Sequence, residues 1–134
     1  MPERSQRAIR FLKARTETLD DGRSRAVVEI EWAGTGNFTG AAEGGSAASD
    51  TLRNLARAAA DAVTEATKSK GMSVRIRSVQ QLEVQGSAAV VVSLAASREG
   101  KTKTLLGVCH VDGDDSRAVA LAVLNATNRF LGVG

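Results

Sequence analysis

Between residues 46 and 68 apolar side chains recur at helical spacing. Leu52, Leu55, Ala56, Ala59, Ala62, Val63 and Ala66 fall on one face, with Arg53, Asn54, Arg57, Asp61 and Glu65 opposite. The pattern predicts an amphipathic helix with one buried stripe, capped by Ser46 or Ser49, with Asp50 in its first turn and Gly71 just past its end. A second helix is predicted over 116–131, where apolar residues occupy nearly the whole circumference and Arg117, Asn125, Asn128 and Arg129 are the main interruptions. Asp114, Asp115 or Ser116 can cap it, and Gly132 stops it. A helix that apolar needs cover on more than one side.

Strand-like stretches precede each helix. Over 26–32, Val28, Ile30 and Trp32 alternate with Glu29 and Glu31; the counterpart over 88–94 is apolar nearly throughout. Each runs through a polar, glycine-containing loop (34–37 and 97–100) into a further strand (38–45 and 105–113) that ends among small and turn-forming residues at a helix start. The stretch 73–84 is rich in β-branched residues and reads as a strand closed by Gly86. In the same register 10–19 is a strand turned by Asp20, Asp21 and Gly22. The chain therefore parses as a single α+β domain, βββα-βββα, made of two repeats over about 8–68 and 73–132. Two copies suit a pseudo-twofold arrangement of antiparallel sheets packed on two helices.

Composition narrows the function. The 134 residues are 43% hydrophobic and 25% charged, which excludes a mostly disordered or collagen-like chain, while 3% aromatic residues with no Tyr leave little with which to stack bases. A net charge of +3 is mild for this size and supports solubility more than a polyanion ligand. One Cys excludes an intramolecular disulfide and fits a reducing compartment, and one Cys with one His cannot build a structural zinc site. No apolar run is long enough to span a membrane, and the first residues lack the apolar segment of a signal peptide, so a cytoplasmic protein without membrane attachment is expected.

The duplicated pattern resembles the C-terminal regulatory (allosteric and dimerisation) domain of 2-isopropylmalate synthase and citramalate synthase, here as a stand-alone domain. Three stretches carry the likeness. Residues 124–129 (LNATNR) look like the end of the family's closing helix; 77–89 are similar to the strand and turn opening its second half; 106–112 sit where the family has a glycine-bearing strand leading to an acidic helix start. The resemblance implies a homodimer and a small-molecule effector. The catalytic barrel of those synthases has no room here, and the lone His110 cannot supply its metal ligands. Where the family enters its first helix through a Gly-x-Gly-Pro-like turn, this chain has Glu43, Gly44, Gly45 and Ser46 with no proline.

Candidate chemistry is sparse. Cys109 and His110 are adjacent, but neighbours on a strand point to opposite faces, so a thiolate–imidazolium pair does not form and a catalytic role would need a break or bulge there. The paired acids Asp20–Asp21 and Asp114–Asp115 lie in turns, where turn formation and capping account for them. No phosphate-cradling glycine motif is present, and no cofactor or metal site is expected. The small turns at the helix starts, with Glu43, Gly44, Gly45, Ser46 and Ser49 in one and His110, Asp112, Gly113 and Ser116 in the other, could hold a carboxylate or phosphate, although ordinary capping explains them too. Arg4, Arg7, Arg10, Lys13 and Arg15 form the strongest basic cluster, readable as a nucleic-acid footprint or as a charged strand edge.

The expected function is that of a non-catalytic, dimerising domain, binding an amino acid or small carboxylate in a regulatory role. A basic nucleic-acid-binding module is the alternative, and a small hydrolase or thioesterase using Cys109 and His110 ranks last.

Overall fold

Hydrophobic alternation and glycine turns produce two antiparallel meanders, each followed by a helix. The computed structural model describes residues 9–131. Strands β1 (Ile9–Thr18), β2 (Ser24–Trp32) and β3 (Gly36–Gly44) form one three-stranded sheet in that order, followed by helix α1 (Ala48–Thr67). A single 3-10 turn, Lys68–Lys70, closes on Gly71 in the left-handed conformation, as the sequence signal for the helix end requires. Strands β4 (Met72–Val84), β5 (Ser87–Arg98) and β6 (Lys101–His110) form the second sheet, followed by α2 (Asp115–Phe130). The order is the βββα-βββα predicted, and among these residues no helix is long and apolar enough to cross a membrane.

Turn chemistry fixes the registers. The β4–β5 and β5–β6 hairpins each turn on two residues of positive φ, Gln85 and Gly86 in one, Glu99 and Gly100 in the other. That is the combination whose twist matches antiparallel strands. Both first strands carry a bulge at the same stage, between Phe11 and Lys13 and between Ile76 and Ser78. The bulge lets Ile9 and Phe11 share the inner face with Ala14 despite the change in parity.

The core lies between the sheets and the helices and is made of small aliphatics. Val28 and Ile30 from β2, Val90, Val92 and Leu94 from β5, and Leu55, Val63, Val119, Val123 and Leu124 from the helices are fully or almost fully buried. Alanines at 58, 59 and 62 on α1 and at 118, 120, 122 and 126 on α2 let backbones approach closely. At Gly40 on β3 a side chain would drive into the Ala58 carbonyl and the Ala62 amide, and at Gly107 on β6 into the Ala122 carbonyl. Each glycine is therefore a packing requirement of the helix that follows it.

Each helix packs on both sheets. Helix α1 lies on β3 and β2 and also on β4, while α2 lies on β6 and β5 and also on β1. Polar side chains on the helices then bond strand-edge backbone in a matched way. Asp61 accepts from the amide of Ala41, the residue after Gly40, and Asn125 donates to the carbonyl of Val108, the residue after Gly107. One turn further on, Thr64 both accepts from and donates to the backbone of Val74 on β4, and Asn128 does the same for Ile9 on β1.

The helix caps differ. Asp114 caps α2 by accepting from the Arg117 amide, as predicted. The N-cap of α1 is Ala47, which offers no side-chain cap, so neither Ser46 nor Ser49 serves as N-cap. The reason lies with Asn54, which reaches back along the helix to donate to the Gly45 carbonyl and holds the entering chain by its backbone.

Candidate functional site

The two helix-start turns each keep their predicted residues together but leave little room for an anion. Glu43 is the next-to-last residue of β3, with its carboxylate 3.7 Å from Arg23 and its carbonyl accepting from Arg57. Gly44 abuts the Asn54 amide and Gly45 abuts the Asp50 carboxylate. Ser46 and Ser49 are exposed. In the second turn His110 is exposed at the end of β6, Asp112 and Gly113 are exposed, and Ser116 is half-buried in the first turn of α2. Asp50 at one helix start and Asp114 with Asp115 at the other already place carboxylate charge where a bound anion would sit.

Register separates Cys109 from His110. Cys109 lies opposite Val90 on the helix-facing side, packed against the core, whereas His110 lies opposite Ala89 on the outer side. The thiol sits within reach of the His110 carbonyl, not the imidazole, and burial raises its pKa, with the Arg117 charge partly offsetting that. Among the described residues no group of three or more His, Cys, Asp or Glu side chains converges as a metal site.

Of the basic cluster, Arg4 and Arg7 lie outside the described residues. Arg10 and Lys13 point from β1 across the outer face of the first sheet to Glu31 and Glu29, at 2.8 and 3.9 Å. Arg15 lines a shallow depression with Lys13, Val27, Glu29 and Thr39. This face is a ladder of opposite charges, completed by Arg25 with Glu17, rather than a uniformly basic surface.

The feature with the makings of a binding site is a cleft of about 490 Å³ where the free edges of β3 and β4 flank α1. Its lining brings together Arg57, Asp61 and Thr64 from α1 with Ser73 and Arg75 from β4, and it reaches Ser97 and Thr102 of the β5–β6 hairpin. Ala41, Ala42, Ala60, Val74 and Ile76 supply apolar wall. Two guanidiniums, one carboxylate and several hydroxyls beside apolar wall can bind both ends of a small zwitterion, or a carboxylate alone. None of the helix-start residues predicted from the sequence lines this cleft. Arg57 and Asp61 share α1, but Arg75 joins them only because α1 packs on the second sheet, so no local motif announces the set.

No protein-family model matches the chain, and no curated protein matches it.

Proposed function

We propose that this chain is a non-catalytic, self-associating α+β domain that binds an amino acid or small carboxylate in the cleft between β3, α1 and β4. The observation that carries the reading is the lining of that cleft. Arg57 and Arg75 provide cationic donors for a carboxylate, Asp61 an acceptor for an ammonium group, and Ala60, Val74 and Ile76 a surface for a short apolar side chain. The resemblance to the regulatory domain of the isopropylmalate and citramalate synthases points to the same ligand class. The matched bonds of Thr64 to Val74 and of Asn128 to Ile9 support a pseudo-twofold relation between the halves. The unpaired Cys109 fits a reducing, cytoplasmic setting.

Thermal-shift screening with the standard amino acids and with small mono- and dicarboxylates tests the reading. At least one class stabilises the wild-type chain, because a ligand at one hundred times its Kd adds about 2.7 kcal/mol. Arg75→Ala and Arg57→Ala each remove that shift while leaving the unliganded melting temperature nearly unchanged, since both side chains are exposed. A folded wild type stabilised by no compound at millimolar concentration overturns it.

A further inference from the structure

The β5–β6 hairpin carries three cations on the side of the sheet that faces the helices. Across the ladder Val92 lies opposite Gly107, Leu94 opposite Leu105, Ala96 opposite Lys103 and Arg98 opposite Lys101. Val92, Leu94 and Ala96 are buried in the core, so strand alternation puts Lys103, Arg98 and Lys101 on that same side. The lysines and the arginine are exposed all the same, because α2 ends at Phe130 and the sheet runs on beyond it. With Glu99, Thr102 and Phe130 they line a depression of about 460 Å³. It shares only Thr102 with the cleft of the proposed function and does not depend on that reading.

We propose that this depression binds a small phosphate monoester joined to a flat apolar group, of which a nucleoside monophosphate is the simplest kind. Charge is the first observation. Three cations against one carboxylate leave the lining at +2, and a phosphate monoester carries about −1.5 to −2 at pH 7. The cations are available to a ligand, since among the described residues no ion pair uses Arg98, Lys101 or Lys103. On the first sheet, by contrast, Arg10, Lys13 and Arg25 each meet a glutamate. Balancing the carbonyl end of α2 does not account for all three. That end carries about half a negative charge, and Arg129 already stands in the last turn and donates to the Leu106 carbonyl. The turn leading into Met72, opposite Arg98, brings Lys68 and Lys70 to the same end of the molecule, the first paired with Glu65, and so adds to the attraction for an anion.

Phe130 is the second observation. It packs against the core yet is only half-buried, and it is the one aromatic or aliphatic residue of the lining. A planar group resting on it keeps its attached phosphate among the cations, and the Arg98 guanidinium can stack on such a group as well as bond its phosphate. The volume is that of a small-molecule site, which runs from about 300 to 1,000 Å³. A carboxylate alone would use neither the ring nor the second charge. A nucleic-acid strand would need a platform for each successive base, and this lining has one.

Isothermal titration calorimetry of the full chain with adenosine 5′-monophosphate tests the proposal, with inorganic phosphate and adenosine as the two halves of the probe. The monophosphate binds with a Kd below about 1 mM, and each half binds at least about 10-fold more weakly. Lys101→Gln with Lys103→Gln weakens the monophosphate at least about 10-fold, and the melting temperature holds because both side chains are exposed. Phe130→Leu keeps an apolar contact with the core; it weakens the monophosphate about 5-fold and leaves inorganic phosphate unchanged. Glu99→Gln removes the opposing charge and tightens binding about 3-fold. Arg53→Gln, exposed on α1 and outside the lining, changes nothing. A Kd above about 1 mM for the folded wild type overturns the proposal. So does binding that survives the lysine substitutions, or inorganic phosphate bound as tightly as the monophosphate. An oligonucleotide bound more than about 100-fold more tightly than the monophosphate overturns it in favour of a strand-binding surface.

Discussion

Asn128 on α2 accepts a hydrogen bond from the Ile9 amide and donates one to the Ile9 carbonyl, both at 3.0 Å, and so ties the last helix to the first strand. Both residues are buried, and Ile9 lies at the free edge of its sheet, where no neighbouring strand can supply the two bonds. Thr64 performs the same office for Val74 with a single hydroxyl in a half-buried setting. Asn128→Ala therefore strands two buried backbone groups and should cost about 2–4 kcal/mol, whereas Thr64→Val should cost about 1–2. Urea unfolding of the two variants checks the order. Equal and small losses would mean that water replaces both side chains.

Gly40→Ala and Gly107→Ala should each destabilise by about 3 kcal/mol or more. The added methyl meets helix backbone, which cannot rotate away as a side chain can. Shortening Ala126 to Gly does not rescue Gly107→Ala, because the Ala122 carbonyl is the closer obstruction. Melting temperatures of the single and double variants decide this. Near-wild-type stability for either glycine variant would show that the helices can move outward.

How much of this was readable in the chain follows the range of each interaction. Order and type of seven of the eight main elements came from local periodicity and from turn residues such as Gly71 and Gly86, and the first strand followed only from its match to 73–84. The bulges after Phe11 and Ile76 left no mark, since Leu12 and Arg77 are ordinary strand residues and only the pairing shows the added residue. Ser46 and Ser49 are good capping types, yet Ala47 takes the N-cap position, and Asn54 bonds the Gly45 carbonyl that leads into it. The second sheet's outer face was hidden for a different reason. Val90, Val91 and Val92 in succession, and Leu105 beside Leu106, are apolar on both faces, and sequence cannot say whether both are covered. The cleft was the least legible feature, because Arg57 and Arg75 lie in different repeats and meet through tertiary packing alone.

Gln85 and Glu99 hold positive φ values of 52° and 53° in the two tight hairpins of the second sheet. Asparagine reaches that conformation more readily than a longer side chain does, and it precedes glycine in the most favoured turns of this type. Gln85→Asn and Glu99→Asn should each stabilise by about 0.5 kcal/mol. The two turns lie at opposite ends of β5, so the double variant should show the sum of the single effects. A loss of stability in either would mean that the original side chain makes a compensating contact.

Cys109 offers a pH-dependent readout of the packing between β6 and α2. Desolvation raises its pKa above the ordinary 9.0, and the nearby Arg117 charge pulls it back in part. The folded chain thus holds the thiol proton to higher pH than the unfolded chain. The stability this thiol contributes is fully present below the unfolded pKa and is lost as pH rises through the folded one. Alkylation proceeds through the thiolate, so iodoacetamide should modify native Cys109 more slowly than the urea-unfolded chain at pH 8, with a rate profile whose midpoint lies above 9.0. Arg117→Ala removes the opposing cation and should move that midpoint higher still. A native rate equal to the unfolded rate, or a midpoint unmoved by Arg117→Ala, would show that the thiol faces solvent rather than the core.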